Sequence, residues 1–152
     1  MELIQINDCL FEELLKQAVA SERLRSNFDL RGSVADGSQR MLNALMPGTS
    51  VPIHRHQNTP ETVVCLMGEV EEVLYNVFYE YMLDEAGNTM RHRRLREIGR
   101  HRLSPLSTTN SGSCGIQIPA GLWHTLQALK PSVIIEFKDG PYEPQSPENL
   151  IL

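Results

Sequence analysis

The chain has 152 residues, of which 41% are hydrophobic and 22% charged, with a net charge of -5. That length suits one packed domain, and the composition is far from that of disordered or membrane-embedded chains. The acidic balance argues against a nucleic-acid partner, because such proteins need a basic surface to displace counterions.

The opening stretch MELIQINDCL holds neither a basic nor an apolar leader segment, and no later apolar run approaches a membrane span. A cytoplasmic protein with no membrane partner is the expectation. Cys9, Cys65 and Cys114 are odd in number and widely spaced, which gives no disulfide framework. Cys65 reads as a small core residue.

From Asn7 to about Ala20, the residues Leu10, Phe11, Leu14, Leu15, Ala18 and Val19 recur at helical spacing, and Asn7 or Asp8 can cap the helix. Its apolar stripe needs a surface to pack on, and the pattern that follows is β. QRMLNALM, ETVVCLM, EEVLYNVFYEYML, TMRHRRLREI, GIQIP, HTLQAL and SVIIEF are short runs separated by Gly, Pro, Asn and Asp. DEAGN reads as a hairpin loop between the two longest. Many strands with no helices between them predict a sandwich or barrel of antiparallel strands. The expected organisation is a helix and an extended arm over residues 1–30, packed on a single domain of residues 31–152.

Several polar residues stand out along the way. Arg23, Arg25 and Asn27 follow the helix at alternating positions and can reach one side of an extended segment, facing an anionic ligand or bulk water. Arg40 and Asn43 interrupt QRMLNALM and point to opposite faces, so one of them at most enters a barrel. Six of the 14 Lys and Arg residues lie between Arg91 and Arg102, as a solvated hairpin face or a local anion-attracting patch. LSPLSTTNSGSCG and the tail after Phe137 read as loops that can border a pocket. Tyr142 in that tail can cap the pocket or serve as a weak acid or base. Trp123 reads as a packing residue.

The chemistry concentrates in GTSVPIHRHQNTPETVVCLMG, Gly48 to Gly68. Strand side chains alternate faces, so His54 and His56 project to one side and Arg55 to the other. QNTP has the composition of a turn, after which Glu61 can return a carboxylate to the same side. Far along the chain, IPAGLWHTL places His124 just after a tight turn at Pro119 and Gly121. If a barrel joins the two strand starts, three imidazoles and one carboxylate meet, a set suited to Fe, Mn, Ni, Co or Zn as a divalent ion. No Ser-His-Asp arrangement, Walker loop or dinucleotide fingerprint is present, so any chemistry falls to such an ion.

The first stretch resembles the first signature of the cupin superfamily: a glycine, five residues, His-x-His, four residues, a glutamate, six residues and a glycine. PAGLWH resembles the second, Pro-x-Gly-x-x-His, although Ser113 and Ala128 stand where that signature often has glycine and asparagine. More narrowly, SERLRSNFDL, QRMLNALMPGT and FKDGPYEP resemble segments of the WbuC-type cupin metalloproteins found beside bacterial surface-polysaccharide genes. The resemblance implies a mainly all-β chain, a double-stranded β-helix or jelly-roll cupin barrel with an N-terminal helix, with a metal held in the barrel mouth by His54, His56, Glu61 and His124. It also implies a homodimer, since jelly-roll cupins often pair.

Three readings of function stay open on the sequence. One is a metal-dependent isomerase or epimerase acting on a small sugar or sugar acid linked to surface-polysaccharide assembly, with arginines orienting anionic groups. An iron-dependent oxygenase is another. A non-catalytic saccharide-binding or sensing cupin is the third, because a fold does not fix a function. Tyr142 and Arg40 are the catalytic candidates, and Arg23, Arg25, Asn27, Arg40 and Asn43 the substrate-binding ones.

Overall fold

Asn7 caps α1 (Asp8–Ala20), its side-chain oxygen accepting from the Leu10 N–H at 3.1 Å, which satisfies one of the donors that every helix start leaves free. Phe11, Leu14 and Ala18, spaced three and four apart, form the buried stripe. The computed structural model describes residues 2–108 and 112–151. Thr109, Asn110 and Ser111 of the Ser/Thr-rich loop lie outside the described residues.

The strands after α1 are β1 (Arg25–Asp29), β2 (Ser38–Leu45), β3 (Ile53–His54), β4 (Glu61–Met67), β5 (Val70–Leu83), β6 (Thr89–Leu103), β7 (Gly115–Ile118), β8 (Trp123–Ala128), β9 (Ser132–Asp139) and β10 (Leu150–Ile151). They form two five-stranded sheets, ordered β1-β2-β9-β4-β7 and β10-β3-β8-β5-β6. Every ladder between them is antiparallel. This is the jelly roll that the cupin signatures imply. The extended arm is integral to it, since β1 pairs with β2 from Arg25↔Leu45 to Asp29↔Met41.

Alternation along the strands makes two cores. Leu45, Val63, Cys65, Val70, Leu103, Ile118, Leu126 and Ile134 fill the space between the sheets. Leu42, Ala44, Val133 and Ile135 face outward from the first sheet and receive Phe11, Leu14 and Ala18 of α1. Leu14 is only 2% exposed, and burying a leucine so completely is worth about 2 kcal/mol. The helix therefore seals one sheet from outside and leaves the barrel interior to the site.

β5 pairs with β8 only from Val70 to Tyr75, whereas β6 follows β5 to its end. The register shifts at Leu74/Tyr75, opposite Gly99 and Glu97, and leaves Ile98 as an extra residue. Beyond this bulge β5 and β6 continue as a two-stranded ribbon. Three of its arginines are engaged with the ribbon itself: Arg94 bonds Glu80 at 2.7 Å, Arg91 lies over the Tyr79 ring at 4.4 Å, and Arg96 lies 6.0 Å from that of Phe78. Arg100 is likewise held by Glu97. The turn is the expected DEAGN, with Asp84 accepting from the N–H groups of Ala86 and Asn88. Among the described residues no helix is long and apolar enough to cross a membrane.

Candidate metal centre

Pro52 offers no N–H to a ladder, and β3 is only two residues long, yet it pairs His54 directly with His124 on β8. The second motif is tied to the first by its backbone. Gly121, at φ 81°, donates its N–H to the carbonyl of His56 at 2.8 Å, and a positive φ is what glycine adopts at little cost. Glu61 opens β4 and reaches the same spot from the other sheet. Four side chains from three separate chain segments thus meet in the barrel.

One ligand atom from each of His54, His56, Glu61 and His124 lies within 4.8 Å of all the others. Atoms on opposite sides of an ion with bonds of about 2.1 Å would be ~4.2 Å apart, so the cluster has the dimensions of a single coordination sphere. His56 Nε2 approaches Glu61 Oε2 to 2.7 Å and His124 Nε2 approaches it to 3.4 Å. None of these three buried atoms is aligned for a hydrogen bond. Close approach without hydrogen-bond alignment is the arrangement of ligands around a shared ion, and orphaned buried polar atoms of this kind call for a partner. A divalent cation would supply it.

The outer nitrogens support the same assignment. The Nδ1 atoms of His54 and His124 each sit 2.9 Å from a backbone carbonyl, of Pro52 and Leu122. A proton on Nδ1 donates to that carbonyl and leaves Nε2 bare for a metal, the arrangement that orients most ligating histidines. The Gln145 side-chain amide nitrogen lies 3.0 Å from His56 Nδ1. Turning the amide over would place its oxygen there to accept a proton in the same way.

The electrostatics keep the ligands in their binding forms. Burial, then the neighbouring His124, lowers His54 to about 4, so its imidazole is neutral at physiological pH. The Glu61 carboxyl is held well below its ordinary value, with burial opposing its ionisation and the Lys138 ammonium favouring it. Lys138 is the cross-strand partner of Glu61 and places Nζ 3.5 Å from Oε1 and 3.5 Å from Glu136 Oε2. It pins one oxygen of Glu61 and leaves the other facing the histidines. Burial disfavours the ammonium, but Glu136 and Glu61 more than offset this and raise it.

A cavity of about 400 Å³ opens beside the cluster, lined by His54, Glu61 and His124 together with Arg23, Arg25 and Asn27 of the arm. Asn43 also lines it and Arg40 does not. Arg40 is on the opposite face of β2, bound to Asp36 at 3.1 Å and to the Ser38 hydroxyl at 2.6 Å. Tyr142 lies in a wider outer groove that continues from the mouth, 57% exposed and with the Arg31 guanidinium 5.8 Å from its ring. Trp123 is buried under Arg55, which points away from the histidines and bonds Asn149. Sequence reasoning missed Glu72, Glu136, Lys138 and Gln145. For Glu136 and Lys138 a signal was available, because they alternate with Ile134 on one face of SVIIEFKD.

A family model described as a domain of unknown function, DUF6016, matches residues 6–95, more than half of the chain. The chain belongs to that family. In this DUF6016 protein the matched region supplies His54, His56 and Glu61, while His124 lies beyond it. Among solved structures, a conserved protein of unknown function from Streptococcus pyogenes, SPY1581, shares the fold with a TM-score of 0.55 and 13% identity, over 94% of this chain and 93% of that one. KdgF from Halomonas sp. aligns with a TM-score of 0.46 and 17% identity, over 78% and 82% of the two chains. An oxalate decarboxylase variant from Bacillus subtilis aligns with a TM-score of 0.45 and 16% identity, over 79% of this chain and 26% of that one. No curated protein sequence matches the chain.

Proposed function

We propose that this chain is a divalent-metal cupin enzyme with isomerase- or epimerase-like activity on a small sugar or sugar acid. The observation that carries the reading is the convergence of His54, His56, Glu61 and His124 beside a cavity whose wall includes His54, Glu61 and His124 together with two arginines. A bound divalent ion there would act as a Lewis acid, polarising a carbonyl or hydroxyl oxygen. The WbuC-type resemblance of the segments around Arg25, Asn43 and Tyr142 supports a link to surface-polysaccharide assembly.

The protein's own groups divide the remaining work. Arg23 and Arg25 attract a carboxylate, for which a guanidinium fork is well shaped. Ser26, Asn27 and Asn43 line the same cavity and offer hydrogen bonds to hydroxyls. Glu136 also lines it, and burial, then the Glu61 charge, pushes its carboxyl up to about 7. A carboxyl near the working pH is suited to accept a proton from a ligand carbon and return it.

D-glucuronate in D₂O with metal-loaded protein tests this reading directly. Proton NMR is expected to show deuterium replacing hydrogen beside the carbonyl, and a Glu136→Gln variant to slow this at least about 100-fold. Substrate-dependent oxygen uptake by the iron-loaded protein would instead establish the oxygenase reading. A sugar acid that binds and emerges unexchanged after long incubation would make the protein a binding module.

A further inference from the structure

Glu72 occupies an unusual place for a charged residue type. On β5 it alternates with Val70, and its cross-strand neighbour on β8 is Leu126, both members of the core between the sheets. It is 2% exposed, it lines the cavity beside the metal cluster, and its Oε2 has no hydrogen-bond partner. Lys138 is committed to Glu61 and Glu136. A leucine here would continue the apolar wall and remove an unsatisfied buried group, which is costly to keep. Such a group persists where function uses it.

We propose that Glu72 is a ligand-contacting residue of the metal cavity, and that its carboxyl hydrogen-bonds a hydroxyl of a small polyhydroxy carboxylate whose acid end faces Arg23 and Arg25. The two ends are placed on facing walls, since Arg25 lies on β1 of one sheet and Glu72 on β5 of the other. Burial, then the charges of Glu61 and Glu136, holds the Glu72 carboxyl well above the ordinary range. A neutral carboxyl offers one O–H donor and one carbonyl acceptor, the complement of a sugar hydroxyl. A neutral sugar lacks the group that the arginines recognise, and a ligand without hydroxyls leaves Glu72 unpaired, so the cavity selects molecules that carry both. This deepens the sugar-acid reading above and rests on it for the metal.

The probe is D-gluconate, titrated calorimetrically into metal-loaded wild type, Glu72→Gln and Glu72→Leu, with D-glucose as the neutral control. Metal content and thermal midpoint are measured on the same samples. Wild type is expected to bind gluconate at least about 10-fold more tightly than glucose. Glutamine, which keeps a donor and an acceptor, should stay within about 5-fold of wild type, and leucine should lose about 10-fold or more. The leucine variant should keep its full metal content and melt no lower than wild type. Wild type that does not prefer gluconate to glucose would overturn the ligand class. A leucine variant that binds gluconate like wild type, or that loses stability in step with binding, would overturn the role of Glu72. Binding that follows this pattern while glucuronate shows no exchange would leave the Glu72 assignment standing and remove the catalytic one.

Discussion

A His54→Ala, His124→Ala double variant is expected to purify with only trace divalent metal, where wild type carries about one equivalent per chain as a four-ligand site should. Replacing a residue that merely orients a ligand costs 10–100-fold in metal affinity, so losing two of the four ligands should exceed about 100-fold. The barrel should still form, because Leu45, Val63, Cys65, Val70, Leu103, Ile118, Leu126 and Ile134 pack without either histidine. Removing both imidazoles also takes away the buried His124 Nε2 that has no hydrogen-bond partner. Elemental analysis of the two proteins decides the matter, and equal metal content would refute the assignment.

The second large effect is structural. Gly68→Ala should destabilise the fold by at least about 3 kcal/mol, because strain and overpacking add there. Gly68 has φ 82°, and an added Cβ would meet the Pro131 carbonyl oxygen and the Ser132 hydroxyl, with Ser132 Cα at 2.8 Å. Ser132 cannot easily yield, since its hydroxyl accepts from the Glu69 N–H and donates to the Lys130 carbonyl at 2.6 Å. For a chain of this size the shift in thermal midpoint is about 6–12 °C. Gly121→Ala is the control: its φ is 81°, but nothing lies within 4 Å of the added carbon, so only the backbone strain of about 1–2 kcal/mol remains. Equal midpoints for the two variants would show that the close approach at Gly68 contributes nothing.

These two glycines show how far the sequence could be read. Both stand in cupin signatures, and resemblance to those signatures implied the jelly roll and the meeting of His54, His56, Glu61 and His124, whereas spacing alone gave only a strand, a turn and a strand. ETVVCLM coincides with β4, Glu61 to Met67, since turn residues bound it on both sides. The TMRHRRLREI run stops short of the end of β6, which continues to Leu103. Glycine at 99 and charges at 100 and 102 obscure the pattern that pairing with β5 sustains.

The interior charges were hidden for a related reason. Alternation assigns polar residues to the solvent face, so Glu71 and Glu72 side by side give no indication of which one turns inward. Only the pairing of Glu72 with Leu126 settles it. Lys138 gains its role from standing opposite Glu61, a relation across 77 positions of the chain that no local pattern carries. Gln145 belongs to a tail that reads as irregular, yet that tail also forms β10, which pairs with β3 and brings its end to His54. Arg40 attracted attention as a charge among apolar residues, and its face of β2 places it with Asp36 and Ser38, away from the cavity.

The central claim is that His54, His56, Glu61 and His124 hold one divalent ion. Anomalous diffraction from crystals of the wild-type chain, recorded at the absorption edge of the metal found by elemental analysis, tests it most directly. A single strong peak is expected about 2.0–2.2 Å from three imidazole nitrogens and a Glu61 oxygen. A metal-replete crystal with no peak there, or with its peak elsewhere in the molecule, would contradict it.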